Sequence, residues 1–140
     1  MTSTRILALD YGRVHTGAAI CDPTGTIVRP LEAINDAASL EGNRKIARMV
    51  EEEDIGAVIV GLPVSLDGEH GAQAIETKEF ITSLAGALEV PVKPWDERFT
   101  SKLAVQKGRY STSDPHSLAA CCLLEDYLDS EAYRRERQGS

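Results

Sequence analysis

The sequence predicts one α/β domain whose mixed sheet is flanked by helices. Two observations lead there. The first third of the chain holds three strand-like segments separated by turn residues, and the rest alternates helical and strand-like spacing in the order helix, strand, helix, strand, helix. The chain is 140 residues long and 42% hydrophobic, enough for one core and too little for two ordinary ones.

Arg5 to Gly12 (RILALDYG) packs Ile6, Leu7, Ala8 and Leu9 together before Asp10, as expected of a strand buried on both faces that ends at a carboxylate. Thr16 to Asp22 reads as a second strand. The cluster Asp22, Pro23, Thr24, Gly25 is a turn, and Thr26 to Ile34 reads as the third strand of an antiparallel meander. Leu40 to Asp54 places Ile46, Met49 and Val50 at helical spacing and ends in the run Glu51, Glu52, Glu53, Asp54, a solvated helix end with no partner evident in the sequence.

Ala57 to Val60 (AVIV) is a short central parallel strand leading to Gly61, Leu62 and Pro63. Ala72 to Leu88 repeats apolar residues at Ile75, Phe80, Ile81, Leu84 and Leu88, as a crossover helix does, and Val90 to Trp95 returns as a strand. The last helix starts at Pro115 with Asp114 as its cap. Residues 1–129 thus form the domain and 130–140 a polar tail.

Cys21, Cys121 and Cys122 have neither disulfide-framework nor zinc-ligand spacing and read as buried thiols of a reducing compartment. The start, MTSTRILALD, has no basic segment leading into a long apolar run, so a cytoplasmic protein without a membrane span is expected. The formal net charge of -7 argues against indiscriminate binding of nucleic acid, which needs excess cations to displace counterions. Positive charge is nevertheless concentrated locally. Arg98, Lys102, Lys107 and Arg109 fall between Glu97 and Asp114 with no acidic residue among them.

Asp10 and Glu97 each follow a predicted buried strand, where open α/β sheets assemble their sites. Convergent carboxylates of this kind suit phosphodiester hydrolysis, because Mg2+ or Mn2+ takes oxygen ligands and stabilises both the attacking and the leaving oxygen.

The blocks LALDYGRVHTGAAICDPTG, VIVGLPVSLDGEHG, PWDERFTS and LAACCLLEDYLD, in this order and spacing, resemble the successive signatures of the YqgF family of pre-16S ribosomal RNA nucleases and Holliday-junction-resolvase homologues. They span nearly the whole chain. The resemblance implies a ribonuclease H-like fold with a five-stranded mixed sheet of order 3-2-1-4-5 and a Mg2+- or Mn2+-dependent nuclease. Its implied partners are RNA, in maturation of the ribosomal RNA precursor within ribosomal precursor particles, or branched DNA. Either a monomer or a homodimer fits.

Carried onto this sequence, the resemblance makes Asp10 and Glu97 catalytic metal ligands. The third ligand departs from the family pattern: His116 stands where an aspartate is expected, and Asp114 lies two residues earlier. Asp114 supplying the carboxylate, His116 ligating through neutral imidazole, and a missing third ligand are the three readings. Asp114 is preferred.

Gly12 and Gly17 permit close backbone approach, and Arg13 is left to meet a phosphate because Val14 and His15 replace a Lys-Arg pair frequent in relatives. His15 is a surface residue beside a turn or a substrate contact. Gly61 to Pro63 floor the cleft, and Ser65, Asp67, Gly68 and Gly71 belong to a loop able to approach substrate. His70 reads as solvent-facing and Trp95 as core. The segment between Glu97 and the last helix is shorter than the family's basic loop.

Two other functions compete. Asp10, Gly12 and Gly17 also resemble the phosphate loop of actin-like ATPases, but those need a second lobe that one domain of this size does not supply. A non-catalytic RNA- or protein-binding module that kept the fold is the other.

If Arg98, Lys102, Lys107 and Arg109 form a phosphate-binding strip, reversing the charge of Lys102 and Lys107 weakens RNA binding and flattens its salt dependence. Filter binding across a salt series checks this, and unchanged affinity and slope would remove the strip.

Overall fold

The centre of the sheet is β1 (Arg5–Asp10), whose neighbours are β2 (His15–Cys21) and, later in the chain, β4 (Ile55–Leu62). The computed structural model describes residues 5–63, 71–96, 110 and 114–138, with the side chains of the last two left aside. The remaining elements are β3 (Val28–Asn35), α1 (Leu40–Glu52), α2 (Ala72–Ala87), β5 (Val92–Asp96), α3 (Pro115–Leu128) and α4 (Glu131–Gln138). The sheet order is β3-β2-β1-β4-β5, with β1 to β3 antiparallel and the pairs β1–β4 and β4–β5 parallel. This is the order expected from the motif blocks.

Strand alternation divides β1 between two cores. Leu7 and Leu9 pack with Val58, Val60, Ile46 of α1, and Phe80 and Leu84 of α2. Ile6 and Ala8 pack on the opposite face with Ala19, Ile59, Cys121, Leu124 and Tyr127, the last three from α3. Because both faces are covered, the strand tolerates a continuous apolar run, which is why RILALD shows no polar alternation.

Several expectations change. The strand read as AVIV extends over Ile55–Leu62, since ladder pairing reaches Ile55 on one side and Gly61 and Leu62 on the other. Ile75 is 52% exposed, and the buried stripe of α2 runs through Ala74, Thr77, Phe80 and Leu84. Small Ala74 and Thr77, whose hydroxyl donates to the Gln73 carbonyl at 2.8 Å, hold positions that hydropathy alone does not award to the core. Finally, the acidic end of α1 has partners: Glu53 accepts from Arg29 at 3.3 Å and lies 3.6 Å from Arg5. Such surface pairs contribute ~0–1 kcal/mol each.

The segment read as a polar tail carries α4. Tyr133 on it is 9% exposed and packs in the α3 core, Tyr127 donates to Glu136 at 2.8 Å, and Lys93 of β5 pairs with the same carboxylate. All three cysteines are free and buried, as expected. Burial pushes the Cys121 thiol up to about 12, which keeps it protonated and unreactive. Trp95 packs at the edge of the α3 core, edge-on to Tyr127, and donates to Asp126 at 3.1 Å.

Phe80 is 2% exposed and stacks on Tyr11 with centroids 4.5 Å apart. Phe80→Ala is expected to lower unfolding free energy by ~3–5 kcal/mol in urea titrations. A loss below ~1 kcal/mol would mean that α2 is not fixed by this contact.

Candidate active site

β1, β4 and β5 are parallel, so their carboxyl ends lie at one end of the sheet. β1 ends there at Asp10, and the pairs Gly61↔Trp95 and Leu62↔Asp96 bring the end of β5 level with that of β4. Asp10 shares the parity of Ile6 and Ala8, which places its side chain on the α3 face of the sheet.

Its cross-strand partner is Gly17. A Cβ at Gly17 would lie 1.8 Å from the carbonyl oxygen of His116 and 2.9 Å from the amide nitrogen of Ser117, so the first turn of α3 rests on bare backbone. Two further contacts fix that turn. The Asp114 Oδ1 accepts from the His116 amide at 2.9 Å, and the Ser117 hydroxyl donates to the Leu31 carbonyl of β3 at 2.7 Å. Asp10 and the turn Asp114–Ser117 are thereby gathered at one end of one face.

Glu97, Arg98, Lys102, Lys107 and Arg109 lie outside the described residues, as do Ser65, Asp67, Gly68 and His70. Among the described residues, no three His, Cys, Asp or Glu side chains are grouped closely enough to hold a metal ion.

Beyond β1 a cleft of about 510 Å³ opens between the β1–β2 turn and the first turns of α2 and α3. Gly12 lines it, and a Cβ there would lie 2.4 Å from the His15 carbonyl, so the tightness of the turn itself requires glycine. Arg13, expected to meet a phosphate, makes a forked ion pair with Glu76 of α2, its Nε lying 2.8 and 3.0 Å from the two carboxylate oxygens. That hydrogen bonding holds the Glu76 carboxyl below the usual carboxylate range and raises the Arg13 guanidinium further.

His15 and His116 are both exposed at the cleft, with ring centroids 5.5 Å apart and planes at 46°. The His15 Nδ1 lies 2.8 Å from Oδ1 of Asn35, its cross-strand partner on β3. Sequence reasoning missed Glu76 and Asn35. Nothing local marks Glu76, which is 63 residues from Arg13, whereas Asn35 could have been found only with the β2–β3 register in hand.

The family model described as "RuvX: Holliday junction resolvase" matches residues 4–130. The chain belongs to the RuvX family. Curated relatives agree. A "Putative pre-16S rRNA nuclease" of Rubrobacter xylanophilus is 42% identical, the match covering 89% of this chain and 92% of that protein. One of the same name from Chloroflexus aggregans is 38% identical over 93% and 96%. Among solved structures, T. thermophilus RuvC in complex with Holliday junction substrate superposes with a TM-score of 0.64 at 14% identity, covering 98% of this RuvX-family chain and 97% of that one. The fowlpox virus Holliday junction resolvase gives 0.51 at 16%, covering 89% and 97%. At these identities the likeness establishes the fold, which is ribonuclease H-like. Among the described residues, no helix is long and apolar enough to cross a membrane.

Gly17→Ala should displace the first turn of α3, because the methyl group meets backbone that no rotamer change can move. The expected cost is ~1–3 kcal/mol in urea unfolding, with faster proteolysis at the start of α3. Wild-type stability and digestion would contradict the close seating.

Proposed function

We propose that this chain is a divalent-metal-dependent nuclease of the cytoplasm that hydrolyses phosphodiester bonds in the ribosomal RNA precursor, with branched DNA as a second substrate. One observation carries the reading most directly. The carboxylate closing β1 lies on the same face and at the same end of the sheet as the Asp114 turn of α3, in a chain of the RuvX family.

Asp10 and Asp114 offer hard oxygen donors, which fit Mg2+ or Mn2+, and Glu97 is a further acidic donor assigned from the motif. When bound, such an ion supplies the positive charge that favours water deprotonation and departure of the 3′ oxygen. Asp114 is preferred over His116 as the third ligand because its capping bond to the His116 amide holds the carboxylate in one orientation. Arg98, Lys102, Lys107 and Arg109 bind the phosphate backbone. Arg13 joins them when a phosphate replaces the Glu76 carboxylate as its partner, and Gly12 lets the strand approach the turn.

The test is cleavage of end-labelled precursor RNA and of four-way DNA junctions with Mn2+, Mg2+ or chelator. Asp10→Asn is expected to reduce metal-dependent cutting more than a hundredfold while the far-ultraviolet spectrum stays native, a loss matching the several kcal/mol that ligated metal contributes. Nucleic-acid binding without cutting under every metal would make the protein a binding module.

A further inference from the structure

The clasp between Arg13 and Glu76 spans the cleft from the β1–β2 turn to α2. We propose that Glu76 is an internal competitor for substrate phosphate, a carboxylate that occupies Arg13 so that this cation engages a polyanion only by exchange. The nature of the anion rests on the nuclease reading; the competition itself is a property of the two side chains, and it makes Glu76 the residue that limits the grip of the cleft.

Three observations carry this. A guanidinium fork donates its parallel N–H groups to two carboxylate oxygens or to two phosphate oxygens, so an acid held on the fork presents what a phosphodiester presents. Arg13 uses the fork in that way: its Nε lies 3.0 and 2.8 Å from Oε1 and Oε2 of Glu76, and its Nη2 also donates to Oε1.

Second, the competitor is held in place. Glu76 and Phe80 are one turn apart on the same face of α2, and Phe80 stacks on Tyr11, two residues before Arg13. The stack keeps Glu76 opposite Arg13, so the carboxylate stays within reach after the guanidinium has left, as a tethered ligand does at high effective concentration. Third, the two halves differ in freedom. The Arg13 side chain is 77% exposed and that of Glu76 29%, so the guanidinium is the half that swings to an incoming phosphate. The pairing also holds the Glu76 carboxyl below the usual carboxylate range, which keeps it an anion at neutral pH.

The experiment follows the Arg13 Nε–H signal of the full-length chain by proton–nitrogen NMR during titration with inorganic phosphate. Glu76→Gln should respond at about two- to fivefold lower phosphate than wild type, the range that exposed ion pairs span. Glu79→Gln, which removes an equal charge three residues further along α2, should titrate as wild type does. A second arm measures fluorescence anisotropy of labelled single-stranded RNA with Mg2+ in the cleavage-poor Asp10→Asn background. There Glu76→Gln should tighten binding by a similar factor and steepen its salt dependence by about one phosphate contact, and adding Arg13→Gln should remove both gains. Circular dichroism confirms a native fold in each variant.

Equal phosphate titrations of wild type and Glu76→Gln, an equal gain from Glu79→Gln, or an RNA-affinity gain that survives Arg13→Gln would each overturn the competition. RNA that binds no variant, with wild-type protein that cuts nothing, refutes the nuclease reading alone, because the phosphate titration decides the role of Glu76 without nucleic acid.

Discussion

The close seating of α3 on Gly17 is the constraint from which the rest of the candidate site follows. A helix packed on a sheet through side chains normally stands about 10 Å off, the separation that interleaved side chains set. Here the His116 carbonyl would touch any Cβ at Gly17, so the helix start comes down to the backbone of β2. Because Gly17 pairs with Asp10, that descent brings the capped turn alongside the end of β1. Ser117 then ties the same turn to β3 through Leu31, so three strands share in positioning one helix terminus.

Legibility followed from where the information lies. β1 was readable because Ile6 to Leu9 serve two cores at once, and α3 because Asp114 and Pro115 mark a helix start chemically as well as by pattern. α4 was not, since one buried aromatic, Tyr133, anchors an otherwise charged segment, and its binding groove exists only after Tyr127 and β5 are in place. Ile75 has the spacing of a core residue, yet it is 52% exposed while the smaller Ala74 and Thr77 are buried. At the site, Asp10 was legible as a strand-end acid. The Arg13–Glu76 and His15–Asn35 contacts were not, because each joins elements whose relative placement is a property of the fold and not of either segment.

An acidic chain that handles a polyanion needs its cations kept apart from its acids. Arg5 and Arg29 share Glu53, Arg13 holds Glu76, Lys93 holds Glu136 and Arg135 holds Glu131. These basic side chains are therefore partly neutralised locally and contribute little attraction for phosphate at a distance beyond the screening length. The stretch 98–113 differs in composition, with four basic residues and no acid. On the proposed reading, segregation of this kind would give the protein a direction of approach for nucleic acid without making its whole surface adhesive.

The same electrostatics bear on the cleft. Glu76 lines the cleft paired with Arg13, and Asp10 and the Asp114 turn lie at the same end of the sheet. On the proposed reading, a phosphodiester meets these carboxylates through a bound cation. On the proposed reading, the carboxylates that would ligate a metal also bar substrate from the metal-free protein. The ion pair between Arg13 and Glu76 adds a second condition, since the guanidinium must leave one carboxylate to reach a phosphate and both groups are accessible to water, where such an exchange costs little. On that reading the acidity of the chain is compatible with nucleic-acid chemistry: the site would take backbone phosphate where a divalent cation and the basic segment act together.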